Sequence, residues 1–194
     1  HTRYIGDWSS DVCSSDLEQE NIRAAYGGTG NVKTTANYAQ SIQTSEKVFK
    51  LGFDQVLWLD AIHKKYIEEL SGMNIMFLYK DKTLRTPSLS GTILPGITRD
   101  TIITLSKSLG YNVIEDQLDI NQILHDINSN KIIEAFAVGT GAVVAPIGKL
   151  FYKDNDYIIN NQKVGENAQQ IFNQLINLQH GIIEEDNGWL TNIK

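Results

Sequence analysis

The alternation of apolar and polar residues along the chain predicts a mixture of helices and short strands. Apolar residues recur three and four positions apart in four stretches, which indicates amphipathic helices. The predicted helices are residues 37–51, 99–109, 121–129 and 166–180. Short apolar runs between turn residues indicate strands. The predicted strands are residues 55–59, 66–69, 74–79, 83–86, 111–118, 132–138 and 142–147, with a short hairpin over 150–159. The pattern predicts one α+β domain without an internal repeat or a linker.

The first 17 residues do not follow this pattern. The run DWSSDVCSSDL, residues 7–17, resembles over its whole length the translation of a sequencing-adapter oligonucleotide. A segment of that origin is left out of reasoning about the fold, as a tag would be. The alternative is a disordered native tail rich in Ser and Asp. We therefore expect residues 1–17 to be a non-native scar or a disordered tail, and the domain to span residues 18–194. Cys13 is not expected to be a nucleophile.

Composition excludes several classes of function. The formal net charge of −6 disfavours a nucleic-acid-binding protein, which would usually present a basic patch. No run approaches the roughly 18 apolar residues that a membrane helix needs. His63, His125 and His180 lie far apart without metal-ligand spacing, so no metal site is predicted. The sequence after residue 17 lacks cysteine, which fits a reducing compartment, and we expect a cytoplasmic protein.

A lysine follows a glycine cluster in GGTGNVKTTANY, residues 27–38. A phosphate-binding P-loop needs Gly directly before the Lys, and Val32 stands there instead. Alternatively, a sheltered lysine can capture an aldehyde, because burial or a nearby cation lowers the pKa of its amine. Most lysines, however, are solvated surface residues, and the residues alone favour that interpretation of Lys33.

Gly96, Ile97 and Thr98 precede the predicted helix 99–109. Free backbone amides and the positive end of the helix dipole attract an anion at such a position. Thr98 can also be an ordinary N-cap, and the two roles are compatible. The sequence therefore predicts a candidate anion site at the start of this helix.

Six segments of the chain, in order, resemble those of branched-chain amino acid aminotransferases, which are pyridoxal-phosphate enzymes of fold type IV. They are GGTGNVKTTANYA, QVLWLD, EELSGMNIMF, LSGTILPGITRD, FAVGTGAVVAPIG and NLQHGIIEEDNGWL. The resemblance covers essentially all of the chain after residue 17. It implies the large cofactor-binding domain of the D-amino acid aminotransferase-like (class IV aminotransferase) fold. It also implies transamination of leucine, isoleucine or valine with 2-oxoglutarate, with pyridoxal 5'-phosphate as the cofactor.

The resemblance assigns roles to three residues around the cofactor ring. Lys33 matches the lysine that forms the Schiff base with the cofactor and shuttles the proton. Tyr38 matches the tyrosine whose hydroxyl contacts the phenolic oxygen of the cofactor. Glu69 matches the glutamate that pairs with the pyridine nitrogen and keeps it protonated, which makes the ring an electron sink. Glu68 is expected to point outward, because adjacent strand residues face opposite sides.

The remaining implied contacts involve the phosphate, the ring face and the substrate. The amides of Ile97 and Thr98 match those that bind the phosphate, and Leu94 matches a residue that packs on the ring. Thr140 matches a second phosphate contact, and the amide of Gly141 matches one that holds the substrate carboxylate.

The chain departs from the family pattern at three places. Thr35 and Ala36 replace a usual Gly pair, and Gly141 replaces a usual Ala. Ala142 and Ala145 stand where some members carry a CxxC redox pair, so no thiol switch is predicted.

Two alternatives stay open at the level of sequence. One is another enzyme of the same fold, a D-amino acid aminotransferase or an aminodeoxychorismate lyase. The other is a chain without activity, because family members begin with a smaller N-terminal domain that we expect to be missing here. That domain supplies an arginine to the phosphate and much of the side-chain pocket. We therefore expect the chain alone to be nearly inactive, and the full-length protein to be a homodimer.

Overall fold

The computed structural model describes residues 12–183 and 188–190. Within them the chain forms one ten-stranded mixed sheet and four α-helices, which confirms the predicted α+β class. The strands are β1 (Cys13–Leu17), β2 (Gln55–Leu59), β3 (Tyr66–Leu70), β4 (Asn74–Tyr79), β5 (Thr83–Pro87), β6 (Asn112–Asp116), β7 (Leu118–Asp119), β8 (Ile132–Gly139), β9 (Val143–Tyr152) and β10 (Asn155–Ile158). The helices are α1 (Thr35–Lys50), α2 (Ile97–Ser108), α3 (Ile120–Asn128) and α4 (Glu166–Gln179).

The strands follow the order β6-β5-β4-β8-β9-β1-β2-β3-β7 across the sheet, and β10 pairs with β9. The β1–β2, β1–β9 and β5–β6 pairs are parallel, whereas the other pairs are antiparallel. Strands that are distant in sequence therefore meet at the centre of the sheet. None of the helices within residues 12–183 is both long and apolar enough to cross a membrane.

Helices cover both faces of the sheet, and this explains why residues 75–78 of β4 are all apolar. Alternate residues of a strand point to opposite faces. On β4, Ile75 and Phe77 join the core under α3, while Met76 and Leu78 join the core under α2 and α4. A smaller cluster joins α1 to β2 around Trp58, which is fully buried.

Strand β1 corrects the expectation that residues up to 17 can be left out of the fold. Its five residues pair with β2 on one side and β9 on the other, and Ser15 and Leu17 are buried. Strand pairing uses backbone groups, which every residue except Pro supplies, so a serine-rich segment can occupy a central position. The hydroxyl of Ser15 is buried there and makes no hydrogen bond with the described residues. The predicted adapter origin of residues 7–17 is a separate matter and stays a prediction; residues 1–11 lie outside the described part.

Most predicted elements are confirmed, and two local predictions are wrong. Residues 111–118 form two strands at opposite edges of the sheet, since β6 pairs with β5 and β7 with β3. Helix α2 begins at Ile97 with Gly96 as its N-cap, so Thr98 lies within the first turn and is not the cap. The last motif, residues 177–190, is described only in part, because residues 184–187 lie outside the described ranges.

Candidate active site

Seven of the eight site residues that the resemblance implies line one cavity. They are Lys33, Tyr38, Glu69, Leu94, Ile97, Thr98 and Thr140. The cavity has an empty volume of about 530 Å³, which includes solvent space at its mouth. Gly141 is the exception: it is exposed in the turn between β8 and β9 and is not part of the lining. The tertiary structure thus brings together Lys33 and Thr140, which are more than a hundred residues apart in sequence.

The loop that carries Lys33 is held in shape by glycines and by one asparagine. Gly27 has a φ of 78°, which favours glycine. A Cβ on Gly30 would lie 2.5 Å from the carbonyl oxygen of Thr92, so no larger residue fits there. The side-chain amide of Asn37 donates to the carbonyl oxygens of Thr29 and Val32 at 2.7 and 2.9 Å. These contacts direct Lys33 to the cavity.

The side chain of Lys33 is exposed in the described chain. The described residues therefore do not shield this amine from water. Arg23, a buried cation, lines the same cavity, and these two are the only basic residues in its lining within the described part of the chain.

Glu69 lies on β3 and presents a buried carboxylate to the cavity. Its Oε1 accepts from the guanidinium of Arg23 at 2.9 Å. Its Oε2 accepts from the side-chain amide of Asn74 at 3.1 Å and from the backbone amide of Leu94 at 3.2 Å. Burial raises the pKa of Glu69 to about 7, although Arg23 and the Leu94 amide lower it. The neighbouring carboxyl of Glu68 raises the pKa further.

Arg23 and Asn74 are site residues that sequence reasoning missed. Both are buried, and both bind Glu69 directly. Asn74 also donates to the carbonyl oxygen of Leu94 at 3.0 Å, which links β4 to the loop before α2. The only signal in the sequence was their presence in or beside the family motifs, because a single Arg or Asn carries no periodicity.

The start of α2 also lines the cavity. A Cβ on Gly96 would lie 2.5 Å from Oδ1 of Asn74, so glycine allows the helix to begin against the amide that binds Glu69. The first backbone amides of a helix have no partner within the helix, and they carry a partial positive charge. The amides of Ile97 and Thr98 belong to this turn, and the hydroxyl-bearing Thr98 and Thr140 line the same cavity. This end can bind an anion.

Glu68 does not point into solvent, which corrects the expectation for it. It is buried, its Oε1 accepts a hydrogen bond from the Thr92 hydroxyl, and its Oε2 has no hydrogen-bond partner among the described residues. Burial raises the pKa of its carboxyl. It lines a second cavity, together with His63 and Tyr66. The alternation along β3 predicted only that Glu68 and Glu69 face opposite sides of the strand. The loop 88–93 covers the side that Glu68 faces, so Glu68 is buried as well.

The donor set of the first cavity fits an aromatic aldehyde that carries a phosphate. An amine, a phenol and a buried carboxylate surround it, and a helix start with adjacent hydroxyls offers a place for the phosphate. No group of three or more His, Cys, Asp or Glu that could hold a metal ion occurs among the residues described.

Comparisons with known proteins give a consistent result. The family model described as Amino-transferase class IV matches residues 12–150. A probable branched-chain-amino-acid aminotransferase of Staphylococcus aureus (strain N315) is 44% identical over 173 residues, 89% of this chain and 48% of that protein. Branched-chain-amino-acid aminotransferase 2 of Bacillus subtilis (strain 168) is 41% identical over 91% of this chain and 48% of its own length. The chain thus spans about half the length of these curated relatives.

Solved structures agree with the sequence comparisons. The Escherichia coli branched-chain amino acid aminotransferase superposes with a TM-score of 0.80 at 27% identity, covering 95% of this chain and 58% of that one. The branched-chain amino acid aminotransferase from Thermobaculum terrenum, in its PLP-form, has a TM-score of 0.77 at 25% identity, covering 91% of this chain and 54% of that one.

Proposed function

The chain belongs to the amino-transferase class IV family, and from that premise we propose that it carries the cofactor site of a branched-chain-amino-acid aminotransferase. The names of the similar proteins support this substrate class over a D-amino acid aminotransferase or an aminodeoxychorismate lyase. The reaction would move the amino group of leucine, isoleucine or valine to a 2-oxo acid such as 2-oxoglutarate.

The observation that carries the proposal is the convergence of Lys33, Glu69 and the start of α2 on one cavity. Pyridoxal 5'-phosphate, when bound, supplies an aldehyde that captures amines and a ring that withdraws electrons. Lys33 would bind the aldehyde end. Glu69 would hold the ring nitrogen, and the amides of Ile97 and Thr98 with the hydroxyl of Thr140 would hold the phosphate.

The residues of the chain divide the remaining work. The amine of Lys33 would take a proton from the α-carbon of the substrate and pass it to the cofactor. The contacts with Arg23, Asn74 and the Leu94 amide fix the orientation of Glu69. Its carboxylate would hold a proton on the ring nitrogen. Tyr38 would contact the phenolic oxygen and Leu94 would pack on the ring face. The amide of Gly141 would hold the substrate carboxylate.

The organisation of the whole protein is part of the proposal. We propose that the chain from residue 12 onward, which includes β1, belongs to the cofactor-binding domain and that the complete enzyme is a cytoplasmic homodimer. The exposure of Lys33 supports the prediction that this chain alone binds the cofactor weakly and is nearly inactive. Rapid transamination by the 194-residue chain would contradict that prediction.

The cofactor assignment is tested by chemical trapping. Borohydride makes even a weakly populated adduct between an amine and pyridoxal phosphate permanent. We expect peptide mass spectrometry to find the pyridoxyl group on Lys33, and to find none at that peptide in Lys33→Ala. The exposed Lys80 provides an internal control for nonspecific labelling. Equal labelling of Lys33 and Lys80 would contradict the assignment.

The substrate assignment needs a second measurement. The chain, fused to the N-terminal half of a full-length relative and reconstituted with the cofactor, is mixed with leucine or with D-alanine, and the 2-oxo acid formed in the first half-reaction is quantified. We expect product from leucine only. Product from D-alanine alone would favour the D-amino acid aminotransferase.

A further inference from the structure

One buried arginine connects three segments of the candidate site. Arg23 precedes the glycine cluster, and its guanidinium donates to the carbonyl oxygen of Gly30 at 3.1 Å and to that of Thr92. The same guanidinium forms the 2.9 Å ion pair with Glu69. Both side chains of the pair are 6% exposed. The arginine thus touches the lysine loop, the loop before α2 and the carboxylate of β3.

The two oxygens of Glu69 are held in different ways. Neutral amides of Asn74 and Leu94 bind Oε2, whereas Arg23 alone binds Oε1 among the described residues. A buried carboxyl takes up a proton unless an opposite charge lies close to it. Arginine is suited to this task because its guanidinium stays charged and binds several acceptors in a fixed plane.

We propose that Arg23 is a positioning residue that keeps Glu69 ionised and holds it in register with the lysine loop. Its bond to Gly30 lies three residues before Lys33, so the same group that binds the carboxylate also fixes the loop that carries the amine. The consequence for catalysis rests on the proposed function, whereas the effect on Glu69 is a property of this chain alone.

The other ionisable groups that share this part of the site, among the described residues, are Glu68, Lys33 and Tyr38. Glu68 is adjacent on β3, and its negative charge raises the pKa of Glu69, opposing Arg23. Lys33 and Tyr38 line the same cavity from the lysine loop and α1. A variant of Glu68 therefore provides a second test with the opposite sign.

The test is a carboxyl titration of the 194-residue chain without cofactor. The side-chain carboxyl carbon of glutamate is labelled with ¹³C, and the Glu69 signal is identified by its loss in Glu69→Gln. We expect Arg23→Gln to raise the midpoint of Glu69 by about one pH unit or more, a tenfold weaker acid, because a close cation lowers the pKa of a carboxyl by about 1–3 units. Arg23→Lys should restore part of this effect.

Arg99→Gln is the matched control. Arg99 is 3% exposed, and its guanidinium also binds a backbone carbonyl and a carboxylate, those of Pro87 and Glu115. We expect this variant to leave the Glu69 midpoint unchanged, although it too removes a buried arginine. An equal shift in both variants would indicate a general loss of structure and overturn the proposal, as would an unchanged midpoint in Arg23→Gln.

Two further measurements keep the outcome decisive. If Arg23→Gln does not fold, Arg23→Met, which keeps much of the side-chain length without the charge, decides: a higher Glu69 midpoint than in the wild type supports the proposal, and an equal one overturns it. Glu68→Gln should lower the midpoint. If Lys33 trapping fails while the titration behaves as expected, the proposed function is wrong and the role of Arg23 towards Glu69 stands.

Discussion

The buried carboxyl of Glu69 makes the stability of the fold depend on pH. Its pKa rises from the ordinary value of 4.5 to about 7, a rise of about 2.5 pH units. At roughly 1.36 kcal/mol per unit, ionising this group in the folded state costs about 3 kcal/mol of unfolding free energy. The folded state binds the proton more tightly than the unfolded state between these values. The contribution is therefore fully present below about pH 4.5 and is lost as the pH rises through about 7.

Glu69→Gln removes this titration while keeping the shape of the side chain. The free energy of unfolding is measured by urea denaturation at about pH 5 and about pH 8 for both proteins. We expect the wild type to lose about 2 to 3 kcal/mol more than the variant over this interval. The absolute stability of the variant does not test the argument, because the amide also leaves Arg23 without its anion. The test is the difference between the pH dependence of the wild type and that of Glu69→Gln.

Glu68 has to be controlled, since it is buried beside Glu69 and its pKa is also raised. In Glu69→Gln, Glu68 ionises more easily, so the comparison is repeated in a Glu68→Gln background. Equal loss of stability in the wild type and in Glu69→Gln would refute the reasoning. It would mean that water or a rearranged Arg23 solvates the carboxylate in the folded chain.

Three further substitutions test the loop, the first strand and one helix. Gly30→Ala places a Cβ 2.5 Å from the Thr92 carbonyl oxygen, which displaces the loop that carries Lys33, so we expect borohydride labelling of Lys33 to fall at least several-fold. Gly141→Ala is the control: its Cβ meets nothing within 4 Å, and the labelling should stay unchanged. Ser15→Ala removes a buried hydroxyl without a partner among the described residues, and urea denaturation should show a gain of about 1 kcal/mol; a loss would indicate a hydrogen bond to water. Asp119→Ala removes the side chain that accepts from the Asn121 amide at the start of α3, which should cost about 1 kcal/mol in the same assay, while Asp119→Asn should keep most of it.

Local signals in the sequence predicted the elements of the fold well. Helix α1 ends where Gly52 supplies a φ of 91°, and Gly110 with a φ of 83° follows α2 in the same way. The hairpin of β4 and β5 and the strand β2 also match their predicted ranges closely. These features depend on residues within a few positions of each other, so periodicity and turn residues are enough to predict them.

The site residues were predicted by resemblance, and the sequence could not have shown that they meet. Lys33 and Thr140 line one cavity because β8 and β9 lie between β4 and β1, an order that no local pattern specifies. The missed residues have the same origin. Arg23 becomes part of the site only because its ion pair with Glu69 spans 46 positions of sequence, and buried polar pairs leave no periodic trace.

The sequence by itself determined the helices, the hairpins, the lysine loop and the family motifs, because each is encoded by neighbouring residues. Only the tertiary structure decided that β1 occupies the middle of the sheet, that residues 111–118 divide between its two edges, and that Glu68 is buried. The physical reason is that strand pairing and burial depend on partners supplied by distant segments. The charge state of Glu69 follows from the same cause, since the burial that raises its pKa and the arginine that lowers it both come from folding.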